Sequence, residues 1–198
     1  MWRQERFEAA DYINQIVPVP PVHVERFENR LQREFQSCQV KKCTRHCYLD
    51  FTVKKKKNAD GTLDLYNWVC IAPGPIGTPY VGGLYKFYLR FPDAYPFEPP
   101  VCQFDPGFYH PNVDEAGILN APELRRGNGS RNYTATCKMY DILHQIVFSM
   151  VFPDPYSFAS SELKRIFLTQ KEVFESKVKR QVRENDPLLI QEEFEWET

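Results

Sequence analysis

A chain of 198 residues with 42% hydrophobic and 15% aromatic residues has enough apolar material for one packed domain with extensions at its ends. Its 25 Lys and Arg residues are balanced by 26 Asp and Glu residues, which gives no basis for generic nucleic-acid binding. No stretch is long and apolar enough to predict a membrane span, and the first residues lack the apolar core of a secretory signal.

The chain begins with an arm and then a helix. Residues 1–21 form the arm, which ends in the stiff, proline-rich connector Pro18-Val-Pro-Pro21. Apolar residues then recur at helical spacing and predict a first amphipathic helix. These residues are Val24, Phe27, Leu31 and Phe35.

An antiparallel meander is predicted next. The strand-like runs lie at residues 43–53, 62–72, 85–91 and 101–104. Asn58-Ala-Asp-Gly61 between the first two runs is a hairpin signal, and the lysine run at 54–57 is expected at the hairpin tip. Because no crossover helix separates these runs, the sheet is expected to be antiparallel throughout.

The second half of the chain predicts a loop and then helices. The polar, glycine-bearing segment from Arg125 to Arg131 is typical of an exposed loop. Apolar residues between Met139 and Val151 trace a wide helical face typical of core packing. Residues 163–167 suggest another helix, and Thr169 with Glu172 predicts a capping box for the last one. The order of helix, four strands, loop and helices indicates an α+β domain.

The cysteines indicate free thiols rather than a disulfide framework or a metal site. Six cysteines without a secretory signal are expected to stay reduced. Cys38, Cys43, His46 and Cys47 cluster, but no second cysteine pair with zinc-finger spacing follows. Cys43 and Cys47 also alternate with apolar residues, which favours core-facing strand thiols over zinc binding. We therefore expect neither a metal nor a cofactor.

Taken together, four segments between residues 80 and 155 resemble the ubiquitin-conjugating enzyme family. They are Tyr80-Val-Gly-Gly83, Phe91-Pro-Asp-Ala-Tyr-Pro-Phe-Glu-Pro-Pro100, His110-Pro-Asn112 and Phe152-Pro-Asp-Pro155. The resemblance covers roughly residues 24–183. It implies an N-terminal helix, a four-stranded antiparallel meander, and central and C-terminal helices. The expected organisation is an arm at 1–21, a domain at 22–183 and an acidic tail at 184–198.

The resemblance fails at the reactive atom. In the family, the position of Asn120 holds the cysteine that carries a modifier as a thioester, and an amide is not a nucleophile at neutral pH. Asn112 matches the amide thought to support the oxyanion, although hydrogen bonding to loop backbone is its structural alternative. We therefore expect the site formed by His110, Pro111, Asn112 and Asn120 to be degenerate, and the protein not to be an enzyme.

Two functions follow from this resemblance. The main one is an inactive interaction or scaffold module, acting either as partner of an active conjugating enzyme or as accessory subunit of a larger complex. The alternative is an active enzyme that conjugates ubiquitin or a ubiquitin-like modifier through a non-standard cysteine. Cys137, at the apolar start of the central helix, is the cysteine to test. The insertion from Arg125 to Arg131 at the lip of the family's active site argues against the standard reaction.

The expected partners are proteins, in a hetero-oligomer. A conjugating enzyme, a ubiquitin-like modifier and a large assembly are the candidates; nucleic acid and membrane are not. Phe97 stands where the family presents an aromatic residue to its ligases, although an apolar residue wedged among prolines is an equal interpretation. The remaining anchors lie in the two terminal arms. They are Trp2, Phe7, Phe194 and Trp196. A cytoplasmic or nuclear location is expected, with uncleaved organellar import left open.

Overall fold

The computed structural model describes residues 21–40, 50–184, 187–196 and 198. Its helices are α1 (Pro21–Val40), α2 (Met139–Ser149), α3 (Ser161–Thr169), α4 (Lys171–Glu184) and α5 (Pro187–Trp196), with a short 3-10 helix at Pro122–Leu124. Its strands are β1 (Thr52–Lys57), β2 (Leu63–Pro73), β3 (Leu84–Arg90) and β4 (Val101–Phe104). The predicted α+β class and order of elements are confirmed.

The four strands form one antiparallel meander in the order β1-β2-β3-β4. The predicted hairpin joins β1 to β2: the Gly61 amide donates to the Asn58 carbonyl at 3.0 Å, and Gly61 has a φ of 84°. A left-handed φ of this kind favours glycine because it has no Cβ. The lysine run was predicted at the hairpin tip, but it lies within β1. Residues 41–49, with Cys43, His46 and Cys47, fall outside the described residues.

β2 is buried on both faces from Trp68 to Ala72. Trp68, Cys70 and Ala72 belong to the main core, together with residues of α1 and α2. Val69 and Ile71 point the other way and pack in a smaller cluster with Phe194 of α5. A strand covered on both faces reads as a continuous apolar run rather than an alternation, and residues 68–72 form such a run. The C-terminal segment expected as an acidic tail therefore covers the sheet as α5.

The helices follow the predicted periodicity, but one helix start is different. α2 buries Met139, Ile142, Leu143, Ile146 and Val147, which is the face predicted for the core. The predicted capping box at Thr169 is wrong. Thr169 is the last residue of α3, and its hydroxyl donates to the Arg165 carbonyl at 2.8 Å. α4 begins at Lys171, so Gln170 is the residue that precedes it, and Thr169 lies inside α3 rather than at the capping position.

Every helix in the described part of the chain is too short or too polar to cross a lipid bilayer.

Candidate functional site

The His-Pro-Asn segment lies in a buried turn against the end of α2. His110 is 1% exposed, its Nε2 is 3.0 Å from the Ser149 carbonyl oxygen, and its Nδ1 accepts the Asn112 amide at 3.1 Å. With Nδ1 as acceptor, the ring is neutral and Nε2 carries the proton. Burial lowers the pKa of His110 to about 4. Pro111 is also buried, and its carbonyl accepts the Ala159 amide at 2.9 Å.

Asn112 uses both ends of its side-chain amide on one neighbouring peptide segment. Its Nδ2 donates to the Asp154 carbonyl at 2.8 Å, and its Oδ1 accepts the Asp154 backbone amide at 2.9 Å. The residue is 1% exposed, so these bonds form out of water. The geometry places Asn112 in a backbone-anchoring role, linking the turn at 110–112 to the segment that follows α2.

Asn120 lies beside this turn. Its backbone amide donates to the Asn112 carbonyl at 2.8 Å, just after the isolated bridge between Val113 and Leu119. Its side chain is half-buried and lines a cavity of about 290 Å³. Asn112, Ser149 and Asp154 line the same cavity, as do the rings of Phe148 and Phe152. The structure thus brings together His110, Asn112 and Asn120.

The segment from Arg125 to Arg131, which the sequence predicts to be an insertion, is tied down at both ends. Arg131 donates to a carboxylate oxygen of Asp154 at 2.6 Å, and Arg125 donates to the Ser157 hydroxyl at 2.5 Å. That hydroxyl donates in turn to the other Asp154 oxygen. Burial acts to raise the pKa of Asp154, but the hydrogen bonds from Ser157 and Arg131 outweigh it and hold the pKa below its usual value.

Asp154 therefore links the insertion to Asn112, and sequence reasoning did not identify it. Its carboxylate is held by the insertion, while its backbone is held by Asn112. The acidic residue between two prolines was visible at 153–155. Nothing in the sequence showed which arginine would reach it, because opposite charges are common and the two residues are 23 positions apart.

Of the four cysteines in the described part of the chain, Cys137 is the most accessible. Cys38, Cys70 and Cys102 are buried, whereas Cys137 is half-buried. Burial raises the pKa of Cys70 and Cys102 far above the usual value for a thiol. The Cys137 Sγ is 3.4 Å from the amide nitrogen of Thr134, which donates to it, in the turn that precedes α2. Cys137 does not line the cavity at Asn120.

The predicted partner-binding residues are in different situations. Phe97 is 62% exposed, and its ring meets Phe27 of α1 edge-on with a centroid distance of 5.9 Å. Phe194 is 0% exposed because it packs on the sheet of its own chain. It cannot contact a partner while α5 stays in place. Trp2, Phe7 and the side chain of Trp196 lie outside the described residues.

Comparison with known proteins identifies the family. A model of the ubiquitin-conjugating enzyme family matches residues 30–182. The chain belongs to the ubiquitin-conjugating enzyme family.

Two SUMO-conjugating enzymes are similar to this chain over most of its length. A SUMO-conjugating enzyme UBC9 from Caenorhabditis elegans is 32% identical over 143 residues, covering 72% of this chain and 84% of that protein. A Sumo-conjugating enzyme ubc9 from Dictyostelium discoideum is 34% identical over 137 residues, covering 69% of this chain and 84% of that protein.

These relatives contradict the prediction that the protein is not an enzyme. Both are named as conjugating enzymes, and both are matched over most of their length. The relatives do not change the chemistry at position 120, because the side-chain amide of Asn120 cannot form a thioester. A conjugating activity in this chain therefore requires a nucleophile at another position.

Proposed function

We propose that the protein conjugates a ubiquitin-like modifier, with SUMO as the first candidate, through a cysteine other than the family's standard one. The observation that carries this proposal is the match to two proteins named SUMO-conjugating enzymes, each covered over 84% of its length. The amide at Asn120 then determines that the thioester forms elsewhere in the chain.

Cys137 is the thiol we propose as carrier. It is the one described cysteine that is not buried, and it lies just before the N-terminus of α2. Its sulfur accepts a hydrogen bond from the Thr134 amide at 3.4 Å, a bond that the thiolate of the attack step would also accept. In the reaction, this thiolate attacks the thioester carbonyl of a charged activating enzyme, whose cysteine leaves as a thiolate. A substrate lysine amine then attacks the new thioester, and Cys137 is released.

The test is a charging assay with activating enzyme, SUMO and ATP, resolved by non-reducing electrophoresis. We expect an adduct that a thiol reagent removes, that is lost in Cys137→Ser, and that survives in the buried control Cys102→Ser. Absence of any adduct, with an active conjugating enzyme charging in parallel, would refute the proposed activity. If the adduct is lost only in Cys43→Ser or Cys47→Ser, the proposed activity is supported but Cys137 is not the residue that carries the thioester. The carrier then lies in the segment outside the described residues.

A second candidate function is docking onto an active conjugating enzyme, in a hetero-oligomer. It is favoured by the exposed Phe97 ring, which is 62% accessible although it is large and apolar. Sedimentation of the chain mixed with an active SUMO-conjugating enzyme tests it. We expect a complex that Phe97→Ala weakens and that Ile76→Ala, at an 80% exposed position, leaves unchanged. Two independent species at all concentrations would reject this candidate.

A further inference from the structure

The segment from Arg125 to Arg131 contains the chain's only Asn-Gly pair, Asn128-Gly129. Both residues are exposed. In such a pair, the backbone nitrogen of the glycine can attack the side-chain carbonyl carbon of the asparagine and close a succinimide ring. Glycine assists this attack because it has no Cβ to obstruct the nitrogen, and its backbone reaches conformations closed to other residues. By sequence and exposure, Asn128 is therefore the asparagine whose side-chain amide is most readily lost.

Asn132 binds Gly129 through both of the glycine's backbone polar groups. The Gly129 amide donates to the Asn132 side-chain oxygen at 2.8 Å, and the Gly129 carbonyl accepts the Asn132 backbone amide at 2.9 Å. The side-chain nitrogen of Asn132 donates to the Arg125 carbonyl at 3.3 Å, so both ends of the side-chain amide are used. An added Cβ on Gly129 would lie 2.4 Å from the Asn132 side-chain oxygen. The packing of the segment thus requires the same glycine that makes Asn128 reactive.

The hydrogen bond from Gly129 to Asn132 protects Asn128. The nitrogen of a succinimide carries no hydrogen, so this N–H···O bond must break before the ring can close. Its length of 2.8 Å is that of a well-formed hydrogen bond. A hydrogen bond of this kind, lost on the way to the transition state, slows a reaction by roughly 2–10-fold. The folded segment therefore slows the loss of the amide without preventing it, because both residues of the pair remain exposed to water.

We propose that Asn128 is a site of spontaneous covalent modification, at which the side-chain amide becomes a carboxylate through a succinimide, and that Asn132 sets the rate. The Gly129 nitrogen bonds to the Asn128 side-chain carbon, its proton passes through water to the departing amide nitrogen, and ammonia leaves. Water then opens the ring at either carbonyl and gives aspartate or isoaspartate, so water is the only other reactant.

The modification changes the segment in two ways. Either product places a carboxylate in a segment that carries Arg125, Arg126 and Arg131. Isoaspartate also adds one backbone atom between the two anchored ends, where Arg125 donates to Ser157 and Arg131 donates to Asp154. The inference does not depend on the proposed conjugating activity, because the Asn-Gly pair takes no part in that reaction.

The experiment incubates the full-length chain in mildly alkaline buffer at physiological temperature and follows position 128 by peptide mapping with mass spectrometry. Isoaspartate is measured by methyl transfer from S-adenosylmethionine with an isoaspartyl methyltransferase. We expect both products at position 128 of the unsubstituted chain and neither in Asn128→Gln, because glutamine would have to close a larger ring. Asn132→Ala should accelerate the conversion roughly 2–10-fold. The control Ser130→Ala, at the exposed position next to Gly129, should react at the unsubstituted rate.

Unfolding the unsubstituted chain in guanidinium chloride measures the same protection without a substitution. The bond from Gly129 to Asn132 is absent in the unfolded chain, so we expect faster conversion there than in the folded chain. This comparison decides the question even if Asn132→Ala does not fold. Absence of both products at position 128 in the folded chain would show that Asn128 is not a modification site. Equal rates in the folded and unfolded chains, or in the unsubstituted chain and a folded Asn132→Ala variant, would show that Asn132 gives no protection and would also overturn the proposal.

Discussion

Replacing Asn112 by alanine separates an anchoring role from a purely chemical one. The Asn112 side chain makes two hydrogen bonds with the backbone of Asp154, at 2.8 and 2.9 Å. Alanine makes neither, and the hydrogen bond from the Asn112 backbone amide to His110 is retained. If the side chain acts mainly as an anchor, the loss appears as reduced stability whether or not any modifier is present.

The size of the effect follows from what is left unpaired. Asp154 is 8% exposed, so water does not readily replace the lost partner of its backbone N–H, whereas its carbonyl still accepts the Ser157 amide at 3.3 Å. A buried N–H left without a partner costs about 1–3 kcal/mol, and the lost hydrogen bond to the carbonyl adds about 1 kcal/mol, which gives roughly 2–4 kcal/mol for Asn112→Ala. For a chain of this size, about 2–4 °C of Tm is lost per kcal/mol, so we expect a fall of roughly 4–16 °C.

The assay is thermal and urea unfolding, with Asn120→Ala as the matched control. Asn120 has the same side chain in the same cavity but is half-buried, and its structural bond to Asn112 is made by the backbone amide, which alanine retains. We expect Asn120→Ala to lie within about 1 kcal/mol of the unsubstituted chain. If the two variants unfold at the same temperature, Asn112 is not an anchor and the argument is refuted.

Three further predictions concern the core around the site. Burial lowers the pKa of His110 to about 4 from an unfolded value of 6.5. The unfolded chain therefore takes up the proton first, and stability should fall by up to about 3 kcal/mol as the pH drops from 6.5 to 4. Between pH 6.5 and 4, the urea midpoint should fall less steeply with pH in His110→Gln than in the unsubstituted chain. An identical dependence on pH in the two chains would show that His110 is not the group responsible. Tyr133→Phe removes a 2.9 Å hydrogen bond to the Pro96 carbonyl and should cost about 1 kcal/mol in urea unfolding, whereas an unchanged midpoint would show the bond to be dispensable. Gly117→Ala adds a Cβ at 2.3 Å from a backbone oxygen, in a residue with a φ of 82°. The control is Gly107→Ala, because Gly107 has a φ of 90° but an added Cβ there would meet nothing within 4 Å. We expect Gly117→Ala to destabilise the chain by about 2 kcal/mol or more beyond the loss in Gly107→Ala. Equal losses in the two variants would show that backbone strain alone is responsible.

By itself, the sequence determined the local elements and the family. The fourth strand was expected at 101–104 and is found as Val101–Phe104, and α2 begins at Met139 where the apolar helical stripe begins. The hairpin at Asn58–Gly61 and the amide at position 120 were also visible. These features could be predicted because periodicity, turn residues and motif spacing act over a few neighbouring residues.

Tertiary structure alone decided which distant groups meet. The residues joined by the Asn112–Asp154 bonds are 42 positions apart, and Arg131 could have met any exposed carboxylate. Phe194 was expected to anchor a partner, but it packs on Val69 and Ile71 of its own chain. An apolar or charged pattern shows that a side chain needs a partner, but not which surface supplies it. That choice depends on how the elements pack, and here the packing placed α5 on the sheet and Asp154 between the insertion and Asn112.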